Sequence, residues 1–148
     1  MNELSHVNRE GEASMVDVTG KPEVSRTATA SGFIEMRAET IGLVNANGIK
    51  KGDVLTVAKI AGISAAKKTS DLIPLCHPLP LSHVSVDCVI KKKGILLRST
   101  VKTTGKTGVE MEALCAVSVA TLTLYDMCKA VDKTMVIGDV KLESKIKD

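Results

Sequence analysis

The segment 71–80 places the strongest constraint on this chain, because it holds three prolines in ten residues: Asp-Leu-Ile-Pro-Leu-Cys-His-Pro-Leu-Pro. Each proline fixes its own φ near −65° and pushes the residue before it toward extended geometry. We therefore predict that a helix arriving from Val54 ends near Leu72, and that the segment around His77 is stiff and non-helical.

A rigidly displayed imidazole suits chemistry near neutral pH. The unperturbed pKa of histidine is about 6.5, so His77 could transfer a proton or contact an anion. The plainer alternative is that the prolines merely end a helix and leave His77 as a solvated loop residue. The segment by itself does not separate these two interpretations.

Composition narrows the class of protein. The 148 residues are most simply one domain, 1–148, in which residues 1–21 form an extended N-terminal arm. The chain has no Trp, one Tyr and one Phe, so its core must consist mainly of Val, Ile, Leu, Ala and Met. No apolar run reaches the roughly 18 residues of a membrane span, and residues 1–9 lack the pattern of a signal peptide. Four cysteines without C-x-x-C spacing predict reduced thiols in a cytoplasmic protein.

The net charge of +3 is modest, but its distribution is uneven. Lysines cluster at 50–68 and at 91–106, and the second stretch contains no acidic residue. Such patches attract polyanions, whereas the scarcity of aromatic residues disfavours a general binder of single-stranded nucleic acid. We expect a compact phosphorylated ligand, and neither a nucleic-acid nor a membrane partner. Solvated lysines without a ligand are the alternative, which we prefer for Lys91–Lys93.

Hydrophobic periodicity gives a coarse order of elements. Asp53 is a suitable N-cap for the helix that follows it. A two-residue turn at Lys92-Lys93 would pair Ile90 with Ile95 and keep the apolar faces of two strands together. We predict strands at 24–34, 82–90, 95–104 and 135–142, and helices at 37–46, 54–72 and 108–131.

The long predicted helix carries two kinds of carboxylate. Thr107 and Glu110 form a T-x-x-E capping box, which gives Glu110 a structural role. Glu112 and Asp126 lie on one stripe of small side chains, about 21 Å apart. Lys129 follows Asp126 by three residues, and a buried or cleft-lining pair there would have shifted proton affinities. The helix is apolar around most of its circumference, which predicts a sheet on one side and a subunit interface on the other.

Two motif interpretations fail on spacing. The segment 103–108 is not a P-loop, because Thr100 stands where that motif requires glycine. The cysteines and histidines between 76 and 88 fit no zinc pattern. The carboxylate of Glu112 would suit a cationic or amide edge, such as the N–H groups of a guanine-like ring.

Taken together, the segments resemble the MoaC family, the cyclic pyranopterin monophosphate synthases of molybdenum cofactor biosynthesis. The most specific matches are Leu-Cys-His-Pro at 75–78 and Tyr-Asp-Met-Cys-Lys-Ala-Val at 125–131. The other matching segments are 11–18, 51–54, 58–63, 65–69, 72–79, 104–114, 124–133 and 135–138.

The resemblance implies an α+β fold, a ferredoxin-like antiparallel sheet with helices packed on one face. It implies a homohexamer, a trimer of dimers, with sites at the dimer interfaces. The implied reaction converts a 3′,8-cyclised dihydro-GTP to cyclic pyranopterin monophosphate and releases pyrophosphate. No resident cofactor or metal is expected, and magnesium accompanying the triphosphate is left open.

The resemblance also assigns residues. The catalytic positions correspond to Asp126, Lys129 and Lys51. The substrate contacts correspond to Leu75, Cys76, His77, Met111 and Glu112, with Lys67 near the phosphates. The chemistry needs a general base and fixed cations, which these side chains supply. One departure is the C-terminus: the family usually ends in a Gly-Gly-Lys-Ser-Gly type of tail, whereas residues 144–148 read Ser-Lys-Ile-Lys-Asp. A lysine contact and full activity are therefore in question.

Two other function classes stay open on the residues alone. One is a non-catalytic protein that binds nucleotides or phosphate through the same lysine clusters. The other is a metal-dependent hydrolase built on the cysteine and histidine residues.

Overall fold

The computed structural model describes residues 4–49 and 52–148. Four strands form one antiparallel sheet in the order β2-β3-β1-β4, and α2 and α4 pack on each other and on the sheet. The predicted α+β, ferredoxin-like fold is confirmed, because a β-α-β-β-α-β order with the first and third strands in the centre defines it. The elements are β1 (Val24–Glu35), α1 (Ala38–Asn45), α2 (Val54–Lys67), α3 (Thr69–Leu72), β2 (Leu81–Ile90), β3 (Gly94–Gly105), α4 (Glu110–Cys128) and β4 (Val136–Lys147).

The β2–β3 hairpin has the predicted register. Ile90 pairs with Ile95 and Cys88 pairs with Leu97. Ile95 and Leu97 are fully buried. A one-residue slip would turn these apolar side chains toward solvent, so the burial of one face holds the register.

The helix that begins after Asp53 is shorter than predicted. The Asp53 carboxylate accepts a hydrogen bond from the Thr56 amide at 3.2 Å, so this N-cap is confirmed. α2 ends at Lys67, however, and a separate turn, α3, follows it. The Thr69 hydroxyl donates to the carbonyl oxygens of Ala65 and Ala66, and so competes with continuation of the α2 backbone pattern. The predicted stop at Leu72, enforced by the prolines, is confirmed.

The predicted capping box of α4 is wrong. α4 begins at Glu110 rather than at Gly108, and its N-cap is Val109, which makes no side-chain hydrogen bond. The Glu110 carboxylate instead forms an ion pair with Lys145, 2.5 Å from its ammonium nitrogen. Lys145 arrives from β4, a partner that no local pattern around Thr107 could reveal.

The last strand extends further than predicted, to Lys147 instead of Leu142. Its tail pairs with the beginning of β1, with Ala28 opposite Lys145 and Arg26 opposite Lys147. Val140, Leu142 and Ile146 of this tail alternate with polar residues, but their side chains are 39–54% exposed, so the alternation marks no buried face in the single chain. The unpaired edge of β1 supplies the backbone hydrogen bonds that order it.

α4 is the core helix of the protein. By length and composition alone it could cross a membrane. In the fold it packs against β1, β3 and α2, and several of its side chains are fully buried. These are Ala113, Ala116, Val117, Ala120, Thr121 and Leu124.

α2 and α4 approach closely because small residues line their contact. A Cβ placed on Gly62 of α2 would lie 2.8 Å from the carbonyl oxygen of Ala116 and 3.3 Å from the Cβ of Ala120. Only glycine fits this position without a shift of one helix. The contact therefore sets the distance between the two helices.

Replacement of Gly62 by alanine should destabilise the protein by about 1–3 kcal/mol, because a methyl group is forced into a closed contact. The free energy of unfolding, measured by urea titration, tests this. Gly42→Ala is the matched control, since no atom lies within 4 Å of a Cβ built on this exposed α1 glycine. The control should be neutral or stabilising by up to about 1 kcal/mol. Equal stability of Gly62→Ala and the wild type would contradict the close helix contact.

Candidate active site

A cavity of about 120 Å³ lies where the segment 73–80 meets the first turn of α4. Its lining includes all five residues that the resemblance assigned to substrate contact, Leu75, Cys76, His77, Met111 and Glu112. The remaining lining residues are His6, Leu79, Thr107, Gly108 and Glu110. Residues distant in sequence thus converge on one enclosed space.

The proline-rich segment is anchored at both ends. Ile73 has extended geometry, as its position before Pro74 requires, and the Cys76 amide donates to the Ile73 carbonyl at 3.1 Å. At the other end, the Thr103 hydroxyl of β3 donates to the Pro80 carbonyl at 2.6 Å. The side chains between these anchors are therefore presented on a stiff support.

Glu112 is the most unusual group in the cavity. It is only 4% exposed, and among the described residues its Oε2 atom has no hydrogen-bond partner. Burial raises the pKa of this carboxyl to about 7, its own backbone amide opposes the rise, and the Glu110 carboxylate adds to it. A buried polar atom without a partner costs free energy, and a ligand that donates a hydrogen bond to it would recover that cost.

Cys76 is a thiol in this site. Burial raises its pKa, and the nearby Glu112, Cys115 and Glu110 raise it further. Because the thiolate is the nucleophilic form of cysteine, this environment opposes covalent catalysis by Cys76. The residue is suited to contact a ligand by packing and by a weak S–H donor.

The tautomer of His77 follows from its partner. Its Nε2 atom lies 2.6 Å from the carbonyl oxygen of Val16. A carbonyl oxygen can only accept, so Nε2 carries the hydrogen and donates it. In the neutral ring Nδ1 then keeps a free lone pair, which can accept a hydrogen bond or a proton.

Val16 and Lys106 are contacts that the sequence reasoning did not single out as site residues. They line, with His77, a second cavity of about 400 Å³ under the arm segment 15–19. The Lys106 ammonium donates to the Thr19 carbonyl at 3.1 Å. Asp17 accepts from the amide and the hydroxyl of Thr19, a turn pattern that the spacing Asp-x-Thr could have indicated.

Lys67 lies beside the first cavity rather than in it. It lines a separate pocket of about 500 Å³ with His83 and Ser82 at the start of β2. Leu79 borders both spaces.

Asp126 and Lys129 do not reach this cavity within one chain. They lie near the opposite end of α4, with Asp126 displaced from Glu112 by about 21 Å of helix rise. Their ion pair is 3.0 Å long, and both side chains are more than half exposed, at 62% and 56%. The pair is therefore not buried in the single chain, and its catalytic role stays a prediction. Lys51 lies outside the described residues.

The described ranges 4–49 and 52–148 contain cysteines, histidines and carboxylates, which are potential metal ligands. Within them, no group of three or more His, Cys, Asp or Glu side chains is placed to hold a metal ion. The cysteines and histidines near residues 76–88 therefore form no such group there.

The chain is similar in sequence to a known protein family over most of its length. A family model described as "MoaC family" matches residues 15–148. The chain belongs to the MoaC family. A cyclic pyranopterin monophosphate synthase of Corynebacterium glutamicum is 57% identical over 98% of this chain and 93% of its own length. Proteins of the same name from Desulfitobacterium hafniense and Novosphingobium aromaticivorans are each 56% identical, over 97% and 98% of this chain and 88% and 92% of their own lengths. The prediction of the family is confirmed, and the predicted function is the one that these names state.

The C-terminal residues 144–148, which differ from the usual family tail, have a defined position in the structure. The tail is held on β4, and its Lys145 pairs with Glu110, which lines the cavity. An ordered strand thus delivers a lysine to the edge of the site.

The raised pKa of Glu112 predicts how stability depends on pH. The unfolded carboxyl titrates near 4.5 and the folded one near 7, so between these values the folded state binds more protons. The free energy of unfolding of the ligand-free protein should therefore fall from pH 4.5 to pH 7, by up to about 3 kcal/mol from this group. Glu112→Gln should remove this fall, measured by urea unfolding at several pH values. Glu39→Gln, at an exposed α1 position, should keep it, and an unchanged pH dependence in Glu112→Gln would contradict the assignment.

Proposed function

We propose that this protein is a cyclic pyranopterin monophosphate synthase, a phosphorus–oxygen lyase of molybdenum cofactor biosynthesis. It would convert the 3′,8-cyclised dihydro-GTP to cyclic pyranopterin monophosphate and release pyrophosphate. The observation that carries the proposal is the buried Glu112 Oε2 atom, which has no hydrogen-bond partner among residues 4–49 and 52–148 and lies in the cavity that Leu75, Cys76 and His77 line. Its relatives' names state the same activity.

The substrate ring fits the described chemistry of this cavity. The N–H edge of a guanine-derived ring would donate to Glu112, which satisfies Oε2 and lowers the pKa of the carboxyl again. The substrate would be larger than the cavity, so its triphosphate must extend outside the cavity. Lys106 lies beyond His77 and Lys67 lies beyond Leu79, and both exits offer a cation for phosphate oxygens.

Closing the cyclic phosphate requires loss of a proton from the attacking hydroxyl. The hydroxyl oxygen forms a bond to the α-phosphorus, the bond from that phosphorus to the α–β bridging oxygen breaks, and the β- and γ-phosphates leave as pyrophosphate. We propose that Asp126, or a lysine beside it, accepts this proton as the general base. Lys129 and Lys51 would stabilise the negative charge that develops on the phosphates. No resident cofactor is needed for these steps, and magnesium could accompany the triphosphate. We place the reaction in the cytoplasm, with neither nucleic acid nor a membrane as a partner.

The assigned residues imply that two protomers build each site. Asp126 is separated from Glu112 by most of α4. Asp126 of one protomer can therefore reach only a substrate that is bound to Glu112 of another protomer. Val57, Ile60 and Leu122 are 40–59% exposed on α2 and α4, which supports a contact between copies there. We propose a homohexamer, a trimer of dimers, with sites at the dimer interfaces.

The direct test supplies the purified protein with the cyclised GTP intermediate. Pyrophosphate and the pterin product should form, and unmodified GTP should give neither. Asp126→Asn should lower kcat by at least about 100-fold while the substrate still binds, because it removes an acid–base group without removing the cavity. A protein that binds the intermediate and releases no pyrophosphate would be the non-catalytic alternative. Turnover lost to a chelator and restored by zinc would favour the hydrolase alternative.

Mixing two inactive variants tests the shared site. Asp126→Asn and His77→Ala, unfolded and refolded together, should recover about a quarter of the wild-type activity, since half of random dimers are mixed and one of their two sites is intact. The control mixture pairs Asp126→Asn with Lys129→Ala. It should stay inactive, because both changes lie on the same side of the interface. An inactive first mixture, with mixed dimers verified by mass, would contradict sites shared between protomers.

A further inference from the structure

The N-terminal arm brings a second imidazole to the cavity. The arm turns back on itself at residues 6–14, where Val7 and Ala13 form an isolated antiparallel bridge. The Ser14 amide donates to the His6 carbonyl at 2.9 Å, so the backbone of His6 is held in place. Its side chain lines the cavity that contains Glu112.

His6 also lines a larger apolar space beside this cavity. That space is about 540 Å³ and is lined further by Ala13, Ile73, Pro74, Leu75, Cys76 and Met111. The wall between the two spaces therefore consists of His6, Leu75, Cys76 and Met111. Leu75 and Cys76 lie on the proline-stiffened segment and Met111 on α4, whereas His6 is an exposed side chain of the arm.

The cavity is too small for a whole nucleotide-sized ligand, so part of the ligand must extend into a neighbouring space. Ligand sites are commonly about 300–1,000 Å³, whereas the cavity around Glu112 is about 120 Å³. It has room for one part of a nucleotide-sized ligand, and the rest must pass a wall. The exits near Lys106 and Lys67 are basic and suit phosphates, while the exit at His6 is apolar and suits a flat ring.

The polar edge of His6 is compatible with ring recognition. Nδ1 lies 3.1 Å from the Ser5 hydroxyl, and among the described residues Nε2 has no hydrogen-bond partner. An imidazole can donate to or accept from a heterocycle at Nε2, and it can stack on the ring face. With Glu112 at the N–H edge of the ring, His6 would hold another edge or the face.

We propose that His6 contacts the bicyclic ring of the substrate and helps determine which ring the site accepts. This assignment rests on the proposed function and adds to it a ring contact from the N-terminal arm. In this assignment His6 recognises the ring, whereas the spaces near Lys106 and Lys67 would receive the phosphates.

The test compares His6→Ala, His6→Phe and His6→Gln in the full-length protein. With the cyclised GTP intermediate, His6→Ala should raise KM by about tenfold and leave kcat within about threefold, because a hydrogen bond made in the bound state is lost. Recovery in His6→Phe identifies stacking, and recovery in His6→Gln identifies the hydrogen bond. Inhibition by pyrophosphate, the phosphate probe, should be unchanged in all three. Arg9→Ala, at the exposed tip of the same arm, is the matched control.

The outcomes are distinguishable. Wild-type protein without turnover would overturn the proposed function and this assignment with it. Active wild type with an unchanged KM in all three variants would overturn the His6 assignment alone. Weaker inhibition by pyrophosphate in a variant that melts at the wild-type temperature would also overturn it, because His6 would then serve the phosphates. Thermal unfolding of each variant identifies any change that only loosens the arm, since such a variant melts earlier and binds pyrophosphate less tightly as well.

Discussion

The packing of α4 between the sheet and α2 is the constraint on which the rest of the structure depends. Small side chains on α4 and Gly62 on α2 let the two backbones approach until a single methyl group would collide. The reverse side of α4 buries Val117 and Leu124 in the aliphatic core, which has no Trp. With so few large side chains available, close backbone contact replaces bulk as the means of filling the interior.

This packing also places the chemistry. The first turn of α4 is buried under the proline-stiffened segment, so Glu112 loses water, its pKa rises and Oε2 lacks a partner. At the other end of α4, Met127 and Cys128 are buried, but Asp126 and Lys129 form an exposed ion pair, which contributes little stability by itself. One rigid helix thus carries a buried carboxyl in its first turn and has an exposed ion pair at its other end.

Local patterns predicted those features that depend on neighbouring residues. The β2–β3 register followed from apolar alternation, the Asp53 cap from its position before a helix, and the stop at Leu72 from Pro74. Predictions failed where a distant group intervened. Glu110 forms an ion pair with Lys145 of β4 instead of the predicted capping box, and the tail of β4 pairs with the edge of β1. The family came from specific motifs, which no periodicity could have supplied, and the substrate contacts that the resemblance implies stay a prediction.

The sequence by itself determined the stiff segment around His77, the order of strands and helices, and the membership of the MoaC family. Each of these features depends on short stretches of the chain, through the backbone preferences or the motifs of neighbouring residues. Only the tertiary structure decided that Val16 sets the tautomer of His77, that His6 lines the cavity, and that Asp126 is exposed. The physical reason is that hydrogen-bond partners and burial depend on which surfaces meet when the arm, the helices and the sheet pack together.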